Sequence, residues 1–455
     1  MADNSKFVPP KGMRDWLPKE VLLRQKLIRL IEQHYQLYGF QPIDTPVMEN
    51  IEVLVGKGGG ENEKLMFKVE KRGQELIKAL VDFYEGRRAT VSYDPEELKL
   101  NGTDMGLRFD MTVPLARYYG NHAAELPKPF RCYHIGPVWR ADRPQKGRFR
   151  EFYQCDIDIV GSTSDGCEVE LLLATDRILK ELNVGPFKIR ISHKQLLPAI
   201  LKSIGMPEEL IPKAAIAIDK LDKQTFEMFS TEMSALIPAD IIVKRVLSFV
   251  EKAMNNSWEF PPDIQPGFDE IRNIVHRVRA INPNANIHFD PLLVRGFDYY
   301  TGPVFEINVE DANFRFSIGG GGRYDGLIEK LGGPKGTPAV GLSLGFERIL
   351  TILLEKEGAV AKSTYPKVYL VNDGQAEKDL QTLAESLRSE GIAVETGLEK
   401  KDKIKQLVAA QEAGLEYAIT DFVPGAKTFK VRQLSNRQDT EMNAEQLKEV
   451  LSKLL

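Results

Sequence analysis

Four arginines stand where a polyphosphate could use them. Arg140 ends the run FRCYHIGPVWR and Arg148 closes the loop after it. Arg295 sits in VRGFDYY, and Arg348 lies in a helix that follows the small-residue run GLSLG. A guanidinium binds phosphate through paired, charge-assisted hydrogen bonds, each contributing roughly 1.5–3 kcal/mol. One such arginine alone is more often half of a surface salt bridge. Four of them, with glycine-rich stretches and the aromatic face of Phe152, suit a nucleoside triphosphate. The run GGGGRY (319–324) reads equally well as a plain turn or as bare backbone brought close to a ligand.

Other chemistries find few residues to carry them. No GxxxxGK[ST] occurs, and no GxGxxG opens a helix after a strand. The six histidines (34, 122, 134, 193, 276 and 288) show no metal-ligand spacing, and His134 falls on a strand, where a satisfied structural histidine is the usual meaning. No GxSxG and no Cys–His pairing stands out. A reaction here would proceed by positioning and charge stabilisation rather than through a covalent enzyme intermediate.

The stretch from Phe130 to Gly161 must position these groups. Two strand-like runs flank a loop at 141–148, which Pro144 and Gly147 punctuate as a turn. Alternation along the second run puts Phe149, Tyr153, Cys155, Ile157 and Ile159 on one face. Arg150, Phe152, Gln154, Asp156 and Asp158 fall on the other. The first face suits a core; the second, in an ordinary hairpin, would face water. Upstream, GLRFDMTVPLARYY (106–119) reads as a strand giving way to a helix near Pro114, with Asp110 and Thr112 close to the junction.

The 455 residues allow about three domains. Residues 19–38 are periodic like a helix, with Gly39 as a stop, and FQPIDTPVME follows as an edge or irregular strand because of Pro42 and Pro46. A catalytic body is expected at 1–195 and 286–360, interrupted by a helical insertion at 196–285. A separate module at 365–455 alternates strands and helices, which implies a mostly parallel or mixed sheet. The net charge of −4 gives no sign of nucleic acid, so an RNA partner would have to be met by local patches. Three unpatterned cysteines, no apolar run of membrane length and an N-terminus without a signal or transit pattern make the cytoplasm the expected compartment, away from membranes.

The arrangement resembles a known family. Arg140, Asp142, Arg148, Phe152 and Asp156 stand at the spacing of motif two of class II aminoacyl-tRNA synthetases. GLSLGFERIL (341–350) resembles motif three. The 19–38 helix with GFQPIDTPVME and its Pro46 resembles motif one, which in that class builds the dimer interface. LVRGFDYYTG (293–302) and GGGRYDGL (320–327) resemble the two histidine-specific signatures of histidyl-tRNA synthetases, and KGMRDWLP (11–18) is similar to how those enzymes begin. The resemblance covers essentially the whole chain.

It implies an α+β catalytic domain built on an antiparallel sheet (the class II synthetase fold) with a helical insertion, plus a C-terminal α/β anticodon-binding domain. The implied protein is a homodimer that joins L-histidine to ATP, releasing pyrophosphate, and passes the acyl group to the 3′ end of tRNA(His). Mg²⁺ would bridge the ATP phosphates, with no metal-ligand set on the protein itself. Arg140 and Arg348 would grip the phosphates, Arg148 the distal ones; Phe152 would stack on adenine and Asp142 help position it. Arg295 would lie against the α-phosphate and the histidine carboxylate, making Arg295, Arg140 and Arg348 the catalytic group. The histidine pocket would be Asp110, Thr112 and Gln154 for the ammonium, with Asp158, Tyr300 and nearby Tyr299 facing the imidazole, beside Arg140 and Arg295. A site that hydrogen-bonds both imidazole nitrogens rejects amino acids lacking them by about 10⁴–10⁵-fold, so no editing domain is needed.

Many bacterial members carry glutamate where Asp110 and Asp158 stand; RFDMT and CDID resemble the eukaryotic-type branch. The 365–455 module holds more acidic than basic residues, leaving Lys400, Lys401, Lys403 and Lys405 as its suggested phosphate contact. The glycines of 56–64 mark the loop expected to close over the adenylate. Two rivals share the scaffold. A catalytically silent synthetase-like regulatory subunit of histidine biosynthesis would usually lack the C-terminal module and erode the VRGFDYY and motif-three arginines. A prolyl, threonyl or glycyl synthetase would not call for Tyr299, Tyr300 and Asp158.

Overall fold

The computed structural model describes residues 7–56, 65–86, 102–221, 224–255, 257, 264–295, 299–311, 313, 314, 316–356, 367–374, 376–398 and 402–453. They fall into two units, one of Met1–Asp15 with Leu27–Lys356 and one of Trp16–Lys26 with Glu357–Leu455.

Periodic apolar residues form the helix Pro18–Leu37, and Gly39, at a φ of 77°, ends the turn after it. Ile31 and Tyr35 of this helix are fully buried, and the Tyr35 hydroxyl donates to the Cys155 carbonyl at 2.9 Å. The expected strand FQPIDTPVME is broken. Strand β1 (Gln41–Pro42) joins a large sheet, whereas β2 (Met48–Asn50) joins a small one with β3 (Lys68–Glu70) and β4 (Thr103–Leu107). Pro42 ends β1, and Pro46, with no N–H to donate, falls between the two ladders.

The large sheet is completed by β5 (Phe130–Trp139), β6 (Glu151–Val160), β7 (Phe187–His193), β8 (Ile287–Phe289), β9 (Pro303–Val309), β10 (Ser317–Arg323) and β11 (Ala339–Gly345). Its order is β1-β5-β6-β11-β10-β9-β7-β8, antiparallel from β5 to β7 and parallel only at the two edge pairs. This order lays 154–158, 341–345, 319–323 and 303–309 side by side. The helices Gly166–Glu181 and Phe346–Lys356 pack on β6, where Cys155, Ile157 and Ile159 are fully buried. The helix Gln265–Ile281 packs on Gly166–Glu181 and on β7 and β8.

The helices Leu196–Ser203, Ile211–Asp219, Phe226–Leu236 and Asp240–Met254 bury a core of their own around Leu201, Phe229, Met233 and Val246, against which Phe289, Leu292 and Val294 pack. The C-terminal unit holds β12 (Lys367–Leu370), β13 (Ala393–Thr396), β14 (Tyr417–Phe422), β15 (Phe429–Gln433) and β16 (Asp439–Met442). Its order, β13-β12-β14-β15-β16, is parallel over the first three strands and antiparallel over the rest, the mixed sheet expected. Of its proposed phosphate cluster, Lys400 and Lys401 lie outside the described residues. Lys403 donates to the Thr420 carbonyl, and Lys405 follows Asp402, which caps the helix Lys403–Glu412.

The glycine run is a strand rather than a turn. It is β10, squeezed between β9 and β11, and a Cβ on Gly321 would stand 2.0 Å from the Gly341 carbonyl oxygen. Neither backbone can retreat without breaking its ladder. Gly321→Ala should therefore lower the thermal midpoint by about 5 °C or more; a melt matching the parent chain would show that the sheet has slack there.

Candidate active site

Every residue assigned from the sequence to the ATP and histidine sites lines one cavity of about 850 Å³. Asp110 and Thr112 come from the junction between β4 and the helix Thr112–His122. Arg140 follows β5, Asp142 and Arg148 lie on the connecting loop, and Phe152, Gln154 and Asp158 share one face of β6. Arg295 follows β8, Tyr299 and Tyr300 precede β9, and Arg348 comes from the first turn of Phe346–Lys356. The face expected to meet water in an ordinary hairpin is thus buried: Gln154, Asp156 and Asp158 are 7%, 3% and 3% exposed. Residues 57–64 of the proposed closing loop lie outside the described residues.

One half of the cavity is cationic. Arg140 donates from Nε to the Phe109 carbonyl at 2.8 Å and from Nη2 to Gln154 Oε1 at 3.3 Å, with its guanidinium 5.1 Å from the Phe152 ring centroid. Arg348 donates from Nε to the Gly147 carbonyl at 3.2 Å and from Nη1 to the Ser317 carbonyl, 5.5 Å from the Phe316 ring centroid. Arg148 pairs with Asp142, Nη2 to Oδ2 at 2.8 Å. Arg295 pairs with Glu306 at 3.3 Å, while its buried Nε has no hydrogen-bond partner among the described residues. The guanidiniums are close enough to feel one another. Burial, then the charges of Arg148, Arg140 and Arg295, bring Arg348 down to about 10, with Glu306 pulling the other way.

The other half is acidic and aromatic. Asp110 accepts the Val113 N–H at 3.1 Å, at the start of its helix, and the Tyr299 hydroxyl at 3.3 Å. Burial pushes its carboxyl up to about 6 against the pull of Val113, Arg140 and Tyr299. Asp158 accepts the Tyr324 hydroxyl at 2.7 Å; burial raises it to about 7, Tyr324 pulls it back and the Asp110 charge adds to the rise. Asp158 can lie flat here because its neighbour on β11 is Gly341, where a Cβ would stand 1.8 Å from Asp158 Oδ1. Tyr299 and Tyr300 meet edge to face at 4.8 Å. Gln154 donates from Nε2 to Ser343 Oγ at 2.8 Å and to Asp156 Oδ1 at 3.2 Å.

Sequence reasoning gave no role to several groups that line the cavity: Asp156, Glu306, Phe316, Tyr324 and Ser343. Asp156 carried a signal, since it alternates onto the face of Gln154 and Asp158. Tyr324 stands inside GGGRYDGL. Glu306 is the one charged residue of β9, and nothing local distinguishes Phe316 or Ser343. Among the described residues no group of three or more His, Cys, Asp or Glu could hold a metal ion. What the arrangement can do is bind a polyanion beside a small cationic or hydrogen-bonding ligand, and stabilise negative charge where the two meet.

Comparison with known proteins bears on which ligands these are. A family model described as Histidyl-tRNA synthetase matches residues 80–349. The histidine–tRNA ligase of Leifsonia xyli subsp. xyli (strain CTCB07) is 40% identical over 367 residues, covering 78% of this chain and 82% of that one. The probable histidine–tRNA ligase of Tropheryma whipplei (strain Twist) is 36% identical over 429 residues, covering 90% and 94%. The crystal structure of histidyl-tRNA synthetase from Nostoc sp. PCC 7120 superposes with a TM-score of 0.77 at 27% identity, over 99% of each chain.

Asp110 and Asp158 both titrate above the roughly 3.9 of an unfolded aspartate. The folded chain therefore holds more protons than the unfolded one across that window. Their contribution is intact below about pH 4 and is lost as the pH rises through 6 and 7. Asp158→Asn, which keeps an acceptor for Tyr324 and removes the charge, should melt several degrees above the parent at pH 8 and no higher at pH 4. A lower midpoint at pH 8 would mean that the ionised carboxylate stabilises the fold.

Proposed function

The chain belongs to the histidyl-tRNA synthetase family and is a histidine–tRNA ligase on the class II fold with a C-terminal anticodon-binding domain, and from this we propose how its cavity works. ATP lies across the cationic half and L-histidine in the acidic half. The observation that carries this reading is the meeting of Arg140, Arg148, Arg295 and Arg348 in the same cavity as the buried Asp110 and Asp158.

Phe152 stacks on adenine and Asp142 orients it, while Arg148 and Arg348 hold the distal phosphates. Magnesium enters with the triphosphate as part of the substrate. The histidine ammonium is received by Asp110, Thr112 and the Gln154 carbonyl. The imidazole meets Asp158, steadied by Tyr324, and the hydroxyl of Tyr300, with Tyr299 packed against it. A histidine carboxylate oxygen then attacks the α-phosphorus, forming the acyl–phosphate bond as the bond to the β-phosphate oxygen breaks and pyrophosphate leaves. Arg295 and Arg140 stabilise the charge on the α-phosphate as it builds. In the second step a ribose hydroxyl at the 3′ end of tRNA(His) attacks the acyl carbon and AMP departs. Positioning and charge supply the catalysis in both.

Asp110 and Asp158 in place of glutamate support a likeness to the eukaryotic-type branch, while the relatives named above are bacterial. A homodimer through the motif-one elements is supported by exposed apolar residues near β1 and β2: Leu37 (68%), Val47 (40%) and Met48 (45%). Among the described residues no helix is long and apolar enough to cross a membrane, in keeping with action in the cytoplasm. A silent regulatory subunit would not need four converging guanidiniums.

ATP–pyrophosphate exchange with each of the twenty amino acids tests the reading: histidine alone should support it, and exchange with proline, threonine or glycine would overturn it. Arg295→Ala should slow adenylate formation by about 10²–10³-fold, as for loss of an oxyanion donor; exchange at the parent rate would remove Arg295 from the reaction. Asp158→Ala should weaken histidine binding with ATP binding intact, and an unchanged histidine affinity would place the imidazole elsewhere.

A further inference from the structure

Asp156 is the one buried acid of β6 to which the two half-reactions give no task. It stands between Gln154 and Asp158 on the same strand face and lines the cavity. The register puts Ser343 of β11 beside it on one side and His134 of β5 on the other. Gln154 occupies the corner of this arrangement. Its Nε2 donates to Asp156 Oδ1 at 3.2 Å and to Ser343 Oγ at 2.8 Å, and its Oε1 accepts from Arg140 Nη2 at 3.3 Å.

A carboxamide has nearly the same shape when turned over, so neighbours must choose its orientation. Flipped, Gln154 would aim N–H groups at the Arg140 guanidinium and its oxygen at the Asp156 carboxyl. The Ser343 hydroxyl donates to Asp156, so the carboxyl and that hydroxyl oxygen both accept on one side while a cation stands on the other, which admits one orientation. We infer that Asp156 is a positioning residue for the amino-acid substrate: it holds Gln154 with the amide N–H₂ turned into the sheet and the carbonyl free to receive the substrate's ammonium group. The inference rests on the assignment of Gln154 to the ammonium and adds the residue that enforces it. Burial and the neighbouring Asp158 push the Asp156 carboxyl well above its ordinary range.

Two histidine analogues separate positioning from packing. L-Histidinol keeps the ammonium and lacks the carboxylate; 3-(imidazol-4-yl)propionate keeps the carboxylate and lacks the ammonium. In the full-length chain, calorimetry should show Asp156→Ala weakening histidinol roughly tenfold, the loss of one hydrogen bond to a charged group, while imidazolylpropionate affinity and the KM for ATP stay unchanged. Asp156→Asn, which offers the same carbonyl, should recover most of the loss. Should Asp156→Ala fail to fold, Ser343→Ala removes the other anchor and reads the same split between the two analogues. Equal weakening of both analogues, or of neither, overturns the inference. Gln154→Ala serves as the reference: if it leaves histidinol affinity intact, the ammonium assignment itself fails. If it weakens histidinol and Asp156→Ala does not, only the role of Asp156 falls.

Discussion

Four guanidiniums sharing one cavity repel one another, and the structure works to hold them there. Like charges held in one buried site raise one another's energy, and each arginine has an anchor. Asp142 holds Arg148, Glu306 holds Arg295, and backbone carbonyls hold Arg140 and Arg348. The anchors come from every part of the catalytic chain: the junction after β4, the hairpin loop, β9 and β10. On the proposed reading a triphosphate relieves this repulsion, and substrate binding and catalysis draw on the same electrostatic imbalance.

The sheet makes room for this by removing side chains. A Cβ at Gly320 would stand 2.7 Å from the Arg295 guanidinium, and one at Gly322 would stand 2.9 Å from the Tyr300 ring. With Gly341 beneath Asp158, three bare positions on adjacent strands form the floor on which a cation, a phenol and a carboxylate lie. The buried carboxylates cost stability at neutral pH, which a fold of this size tolerates because the apolar face of β6 is closed over by helices. Stability is thus given up on one face of a strand and recovered on the other.

Much of this was legible in the residues and their spacing. The two faces of β6 follow from a period of two, and the strand-to-helix junction at Asp110 from Pro114 and the apolar pattern around it. The antiparallel catalytic sheet and the C-terminal mixed sheet follow from the family motifs and from alternating strands and helices. What could not be read locally depends on strand order. Tyr324 meets Asp158, and Glu306 meets Arg295, only because β6, β11, β10 and β9 are neighbours. The glycine run has the composition of a turn and becomes a strand because two ladders close on it. FQPIDTPVME has the composition of a strand and divides between two sheets because Pro46 falls between them.

The most direct test of the central claim compares ATP with adenosine as ligands for the full chain, without histidine or tRNA, by their effect on the thermal midpoint. If relief of guanidinium repulsion drives binding, ATP raises the midpoint by several degrees, adenosine barely moves it, and Arg348→Ala melts higher than the parent when empty yet gains less from ATP. Equal shifts from ATP and adenosine, with Arg348→Ala indistinguishable from the parent, would contradict the account.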